Sequence, residues 1–153
     1  MSTGLITPGF SEAARYVERE ALEGWRKLNE SNVFGIESTI RDELGTVWEE
    51  CRHADWDGFS ALAVSQDTLH NTYRFLESLP LGCPPPSVGA EPDGQLSLEW
   101  HRGPRRTLSV SVTPEGDLHY AALFGPSRVF GTEAFFGEAP SAIIDLIRRI
   151  YAS

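Results

Sequence analysis

The chain has 153 residues, 41% of them hydrophobic and 23% charged, and its 22 acidic against 13 basic side chains give a formal net charge of −9. That length suits one domain whose core buries about two-thirds of the unfolded surface without a disulfide or metal staple. No stretch approaches the roughly 18–20 apolar residues that span a bilayer; Met1 to Phe10 lacks the basic and apolar regions of a signal peptide, and a negative field repels phosphate backbones, which argues against direct nucleic-acid binding.

Residues 1–9 read as a loose terminus. Ser11 is an N-cap for a helix predicted over 12–29, with Val17, Ala21, Trp25 and Leu28 on one face. After a break at 29–35, a second helix is predicted over 36–52. Ile36, Ile40, Leu44, Val47 and Cys51 form its apolar stripe, while Glu37, Asp42, Glu43, Glu49 and Glu50 make its other faces acidic. Gly45 weakens that helix by about 1 kcal/mol against Ala, a penalty that points to close packing there. Residues 53–64 have no clear period and contain Asp55-Trp56-Asp57-Gly58. Ser65 then caps a third helix, with Leu69, Tyr73, Leu76 and Leu79 inward, which Pro80 stops. The Pro- and Gly-rich run from Leu81 to Asp93 reads as an ordered crossing loop.

From Gln95 the hydrophobic period switches from 3.6 to 2. Leu96, Leu98 and Trp100, then Leu108, Val110 and Val112, then Leu118, Tyr120 and Ala122 alternate with mostly polar residues and mark three half-buried strands. Opposed residues must share a face, so the turns set the register. Pairing Trp100 with Leu108 leaves Gly103-Pro104-Arg105 as a three-residue loop; pairing Val112 with Leu118 leaves Pro114-Glu115-Gly116, with Gly116 suited to a left-handed position. A fourth strand is expected at Arg128–Gly131. Pro140 is placed for the first turn of a final helix, with Ile143, Leu146, Ile147 and Ile150 as its buried face. The expectation is one α+β domain over 1–153: an acidic helical segment over 1–53, then a helix, a three- or four-stranded antiparallel meander and a C-terminal helix over 54–153.

Motifs for phosphate loops, CxxC pairs, HExxH or GxSxG are absent, and His53, His70, His101 and His119 have no metal-ligand spacing, so neither a metal nor a cofactor is expected. The register places Ser97, Ser111 and His119 in one row on the outer face of the meander, Glu99, Ser109 and Ala121 in the next, and His101, Thr107 and Leu123 in a third. A serine beside a histidine invites nucleophilic chemistry, because the imidazole can take the hydroxyl proton. The same polar face is also what solvent exposure demands. Asp55 and Asp57 flank Trp56 and have the composition for acid–base work, but they equally suit a turn in which both carboxylates bond nearby backbone, Gly58 takes a left-handed angle and Trp56 plugs the core. Glu99 projects from the outer face. Arg102, Arg105 and Arg106 cluster at a hairpin tip, where they can grip a phosphate or carboxylate or be neutralised by the acidic helices. Arg148 and Arg149 complement the dipole of the final helix.

Asp55-Trp56-Asp57-Gly58-Phe59, Leu79-Pro80, Pro92-Asp93-Gly94, Leu98-Glu99-Trp100, Leu108-Ser109-Val110-Ser111 and Tyr120-Ala121 carry a resemblance. Over about residues 54–150 the chain resembles a group of small uncharacterised bacterial proteins with a W-D-G-[FY] turn and a P-D-G-x-x-x-L-E-W strand motif. The resemblance implies a bacterial or phage cytoplasm and an accessory or antitoxin-like role; the group has no established activity, so no catalytic residue carries over.

Charge is uneven along the chain: residues 1–79 hold 14 acidic and 7 basic side chains, residues 80–153 only 8 and 6. Cys51 and Cys83, in unlike surroundings, fit a reducing cytoplasm better than a disulfide framework. The function these features favour is a non-enzymatic, cytoplasmic, acidic module of the antitoxin, immunity or inhibitor kind. It would bind a basic protein partner through Glu37, Asp42, Glu43, Glu49, Glu50 and Glu99. The alternative is a small hydrolase or transferase using Ser111 with His119, or Asp55 with Asp57. A third is a structural subunit that self-associates through the sheet.

Overall fold

The structure, a computed structural model, describes residues 38–152. The helix expected over 12–29, with Ile36 and Glu37 of the next, lies outside the described residues. Helix α1 (Ser38–Cys51) buries Ile40, Leu44 and Cys51 as its period requires, together with Trp48. A Cβ built on Gly45 meets nothing within 4 Å, so among the described residues the expected close packing at this glycine is absent. Helix α2 (Gln66–Ser78) starts where Ser65 Oγ accepts the Thr68 amide at 3.1 Å and ends before Pro80. Leu69, Tyr73 and Leu76 are buried, joined by Phe75.

The Pro-rich run after α2 is a crossing that also contains a strand. β1 (Ser87–Ala90) pairs with β2 (Leu96–Gly103), setting Val88 against Leu98 and Ala90 against Leu96. Four residues at a sheet edge show too little alternation to be read as a strand. β3 (Arg106–Val112), β4 (Asp117–Phe124) and β5 (Ser127–Ala134) continue an antiparallel sheet in the order β1-β2-β3-β4-β5, five strands where three or four were expected. β5 is eight residues long rather than the four of Arg128–Gly131. Its Gly131 faces Tyr120, and a Cβ there would lie 2.5 Å from the tyrosine hydroxyl, so the ring takes the place of a side chain.

The register is the one the turns dictate: Trp100 opposes Leu108 and Val112 opposes Leu118. Gly116, at φ +91°, closes the Pro114-Glu115-Gly116 turn by donating to the Thr113 carbonyl at 3.1 Å. The β2–β3 turn differs from the three-residue loop. Gly103 pairs with Arg106, so only Pro104 and Arg105 turn, and the register shifts between His101 and Gly103. A bulge absorbs the extra residue.

Helix α3 (Ser141–Tyr151) follows Pro140, which sits at the N-cap, and buries Ile143, Leu146, Ile147 and Ile150 against β2, β3 and β4. One sheet face therefore carries the core: Leu96, Leu98, Trp100, Leu108, Val110, Val112 and Leu118 are fully buried. Each contributes about 1.5–3 kcal/mol through area removed from water. α1 packs along β1, and α2 and α3 lie over the central strands. The opposite face, with Glu99, His101, His119 and Phe130, is open.

Candidate functional site

α1 and the residue that follows it sort their charges by sign. Asp42, Glu43, Glu49 and Glu50 are exposed, whereas Arg41 and Arg52 are 5% and 6% exposed. Positions 42 and 49, and 43 and 50, are seven residues apart, so the four carboxylates form two adjacent rows on one arc of the helix. Arg52 donates to Glu49 at 2.9 Å and stacks over the Trp48 ring at 4.8 Å; Arg41 Nε lies 3.9 Å from Asp42. Glu43 and Glu50 form no ion pair among the described residues. The inward turn of both arginines was not legible from periodicity. They flank the apolar stripe at positions where a long stem can be buried or swing out. Glu37 lies outside the described residues, and Glu99 stands exposed on the outer face of β2, on a different element from the α1 carboxylates.

The sheet row of Ser97, Ser111 and His119 forms as expected. Its hydrogen bonds do not follow the row. Ser111 Oγ donates to Glu91 Oε2 at 2.5 Å, while His119 Nδ1 bonds Thr132 Oγ1 at 2.8 Å. The serine hydroxyl and the imidazole are thus opposite each other but engaged elsewhere. Their neighbours Ser97, Ser109 and Ala121 are small side chains that build no wall around them.

Asp55 and Asp57 are both used by their own loop. Asp55 Oδ1 accepts the Ser60 amide at 2.7 Å; Asp57 Oδ1 accepts those of Phe59 at 2.8 Å and Ala61 at 3.1 Å. Gly58 takes φ +77°, and so do two residues not foreseen, Asp55 at +63° and Ser60 at +68°. Trp56 packs on the core and donates to the Leu62 carbonyl at 2.9 Å. Leu62 in turn donates its amide to the Pro92 carbonyl at 2.8 Å, which joins this loop to the Pro92-Asp93-Gly94 turn. Phe59, at the tip, is 87% exposed.

Among the described residues, no acidic side chain pairs with the arginines of the β2–β3 turn. Arg102 donates to the Tyr151 carbonyl at 3.1 Å, and Arg106 to those of Ala152 at 2.5 Å and Ile150 at 3.5 Å. They satisfy the orphan carbonyls at the C-terminal end of α3 and complement the negative end of its dipole.

Burial pushes the thiols of Cys51 and Cys83 up to about 11, so both are protonated at neutral pH and neither is an activated nucleophile. Among the described residues there is no group of three or more His, Cys, Asp or Glu side chains that could hold a metal, and no helix is long and apolar enough to cross a membrane. Compared with protein-family models, with curated proteins and with solved structures, the chain matches none of them.

Proposed function

We propose that the chain is a protein-binding module, of the antitoxin, immunity or inhibitor kind, that engages a basic partner through the exposed acidic arc of α1 and performs no chemistry of its own. One observation supports this reading above the rest: Arg41 of α1 and Arg52 just after it are buried, while Asp42, Glu43, Glu49 and Glu50 stay in solvent. The exposed charges of this arc are therefore of one sign, which speeds encounter with a cationic surface and disfavours anionic ones.

Capture of the tagged chain's partners from its own host at low and moderate salt tests the proposal. The expected result is one stoichiometric basic protein, lost as salt rises. Glu43→Lys with Glu50→Lys leaves the Glu49–Arg52 pair intact and should slow association at least about tenfold while changing dissociation little. Absence of any partner at both salts, or an association rate indifferent to the double reversal, defeats the reading.

A further inference from the structure

The other end of the molecule has the opposite character. Of the nine arginines among the described residues, six (Arg102, Arg105, Arg106, Arg128, Arg148 and Arg149) lie where the β2–β3 turn, the β4–β5 turn and the last turns of α3 meet. Arg149 covers the Phe124 ring at 4.0 Å, and Arg148 makes an exposed pair with Asp145 at 3.5 Å. Beside them a cleft of about 400 Å³ opens between residues 80–84 and α3. Leu81, Cys83 and Pro84 form one wall, Ile144, Ile147 and Tyr151 the other, and among the described residues Arg148 is the one ionised side chain in its lining.

Both walls are held from behind. Gly82 at φ +81° and the Cys83 amide, which donates to the Pro80 carbonyl at 3.1 Å, fix the turn of the first wall. The Pro84 carbonyl accepts the indole N–H of the fully buried Trp100 at 2.7 Å. On the second wall, Arg102 bonds the Tyr151 carbonyl and lies 5.6 Å over its ring. Anchored in this way, the two walls cannot simply collapse together, and a preformed apolar cleft of this volume is what small ligands use.

We propose that this cleft binds a small amphipathic organic anion, an aliphatic carboxylate whose chain lies between the two apolar walls and whose head meets Arg148. The sign of the head follows from the lining, which among the described residues holds a guanidinium and no carboxylate. Asp145 is a weak competitor, because an exposed ion pair of this length contributes little. The chain follows from Leu81, 69% exposed at the mouth, and from the isoleucines behind it. The Cys83 thiol is part of the wall, donates to the Pro84 carbonyl at 3.6 Å and stays protonated, so it reports occupancy without reacting with the ligand.

Sodium decanoate is the probe, followed by calorimetry and by the rate at which N-ethylmaleimide alkylates Cys83; Cys51, 1% exposed, does not compete. The expected result is saturable one-to-one binding with matching protection of Cys83. Decanol, which has the chain without the charge, should bind about tenfold more weakly. Arg148→Glu, at a side chain 72% exposed, should weaken decanoate by at least about tenfold, and Arg148→Lys should restore most of it. No saturable binding, no protection of Cys83, decanol binding as tightly as decanoate, or an indifferent Arg148→Glu variant would each overturn the proposal. The site shares no residue with the acidic arc of α1, so its failure and that of the partner-binding reading are separable.

Discussion

Cys51 ends α1 almost without solvent contact, and that burial links stability to alkaline pH. Its thiol ionises at about 11 in the folded chain against 9.0 when free. The folded state therefore keeps a proton that the unfolded state releases. The resulting stabilisation is complete below pH 9 and disappears as pH rises towards 11. Relative to Cys51→Ala, the native chain should lose on the order of 2 kcal/mol across that window, measured by urea unfolding at pH 8, 9, 10 and 11. Parallel curves for the two chains would mean that the thiol is not desolvated. At this scale the sequence was legible where chemistry and period agree: Leu44, Leu69, Leu98 and Ile147 are buried where their spacing demands. Arg41 and Arg52 were not legible, because a hydrophobic period does not record where a guanidinium ends. Glu91 was missed as the partner of Ser111 for a related reason, since it sits twenty residues away in a stretch that read as loop.

Elements were easiest to read where two independent signals coincide. The β3–β4 pairing rests on alternation and on a glycine that can take φ +91°, and the structure keeps that register residue for residue. β1 has neither signal, and the far half of β5 is hidden in the sequence because Gly131 and the inward Glu133 break its apolar alternation. Gly45 was misjudged in the opposite direction. Its helix penalty suggests close approach, yet no described residue lies within 4 Å of the position a Cβ would occupy. Gly45→Ala should therefore stabilise the fold by about 0.5–1 kcal/mol, through helix propensity and the lower entropy of the unfolded chain. A thermal melt that shifts downward would show that some neighbour requires the glycine.

For the whole molecule, the sheet and its cover are mutually dependent. α3 brings Ile143, Leu146, Ile147 and Ile150 onto the inner face, a burial of about 6–12 kcal/mol. The net stability of a domain is about 5–15 kcal/mol. A chain truncated after Ala139 should lose cooperative unfolding, read as the loss of dispersed amide resonances; retention of a sharp transition would show that α1 and α2 suffice. The α+β architecture was legible at this scale because helical and strand periods are segregated along the chain. The charge asymmetry was only half legible. The sequence shows acids gathered in residues 1–79, but the end of the fold shared by six arginines appears only when two turns and a helix terminus, distant in sequence, are brought together.

The spatial order of the strands repeats their order in the chain, and that has a consequence in time. Each neighbouring pair of strands is joined by a short turn or loop, and the entropy of closing a loop rises only with the logarithm of its length. Hairpins of this kind close in about 1–10 μs. A meander zips from any of its turns, and no strand waits for a distant partner. The contacts that span the most chain are those of the helices, with α3 returning onto β2 and α1 meeting β1, each across some forty residues, and such non-local contacts are the slow ones to form. What the folding chain has to search for is the lid of its core, with the sheet already in hand.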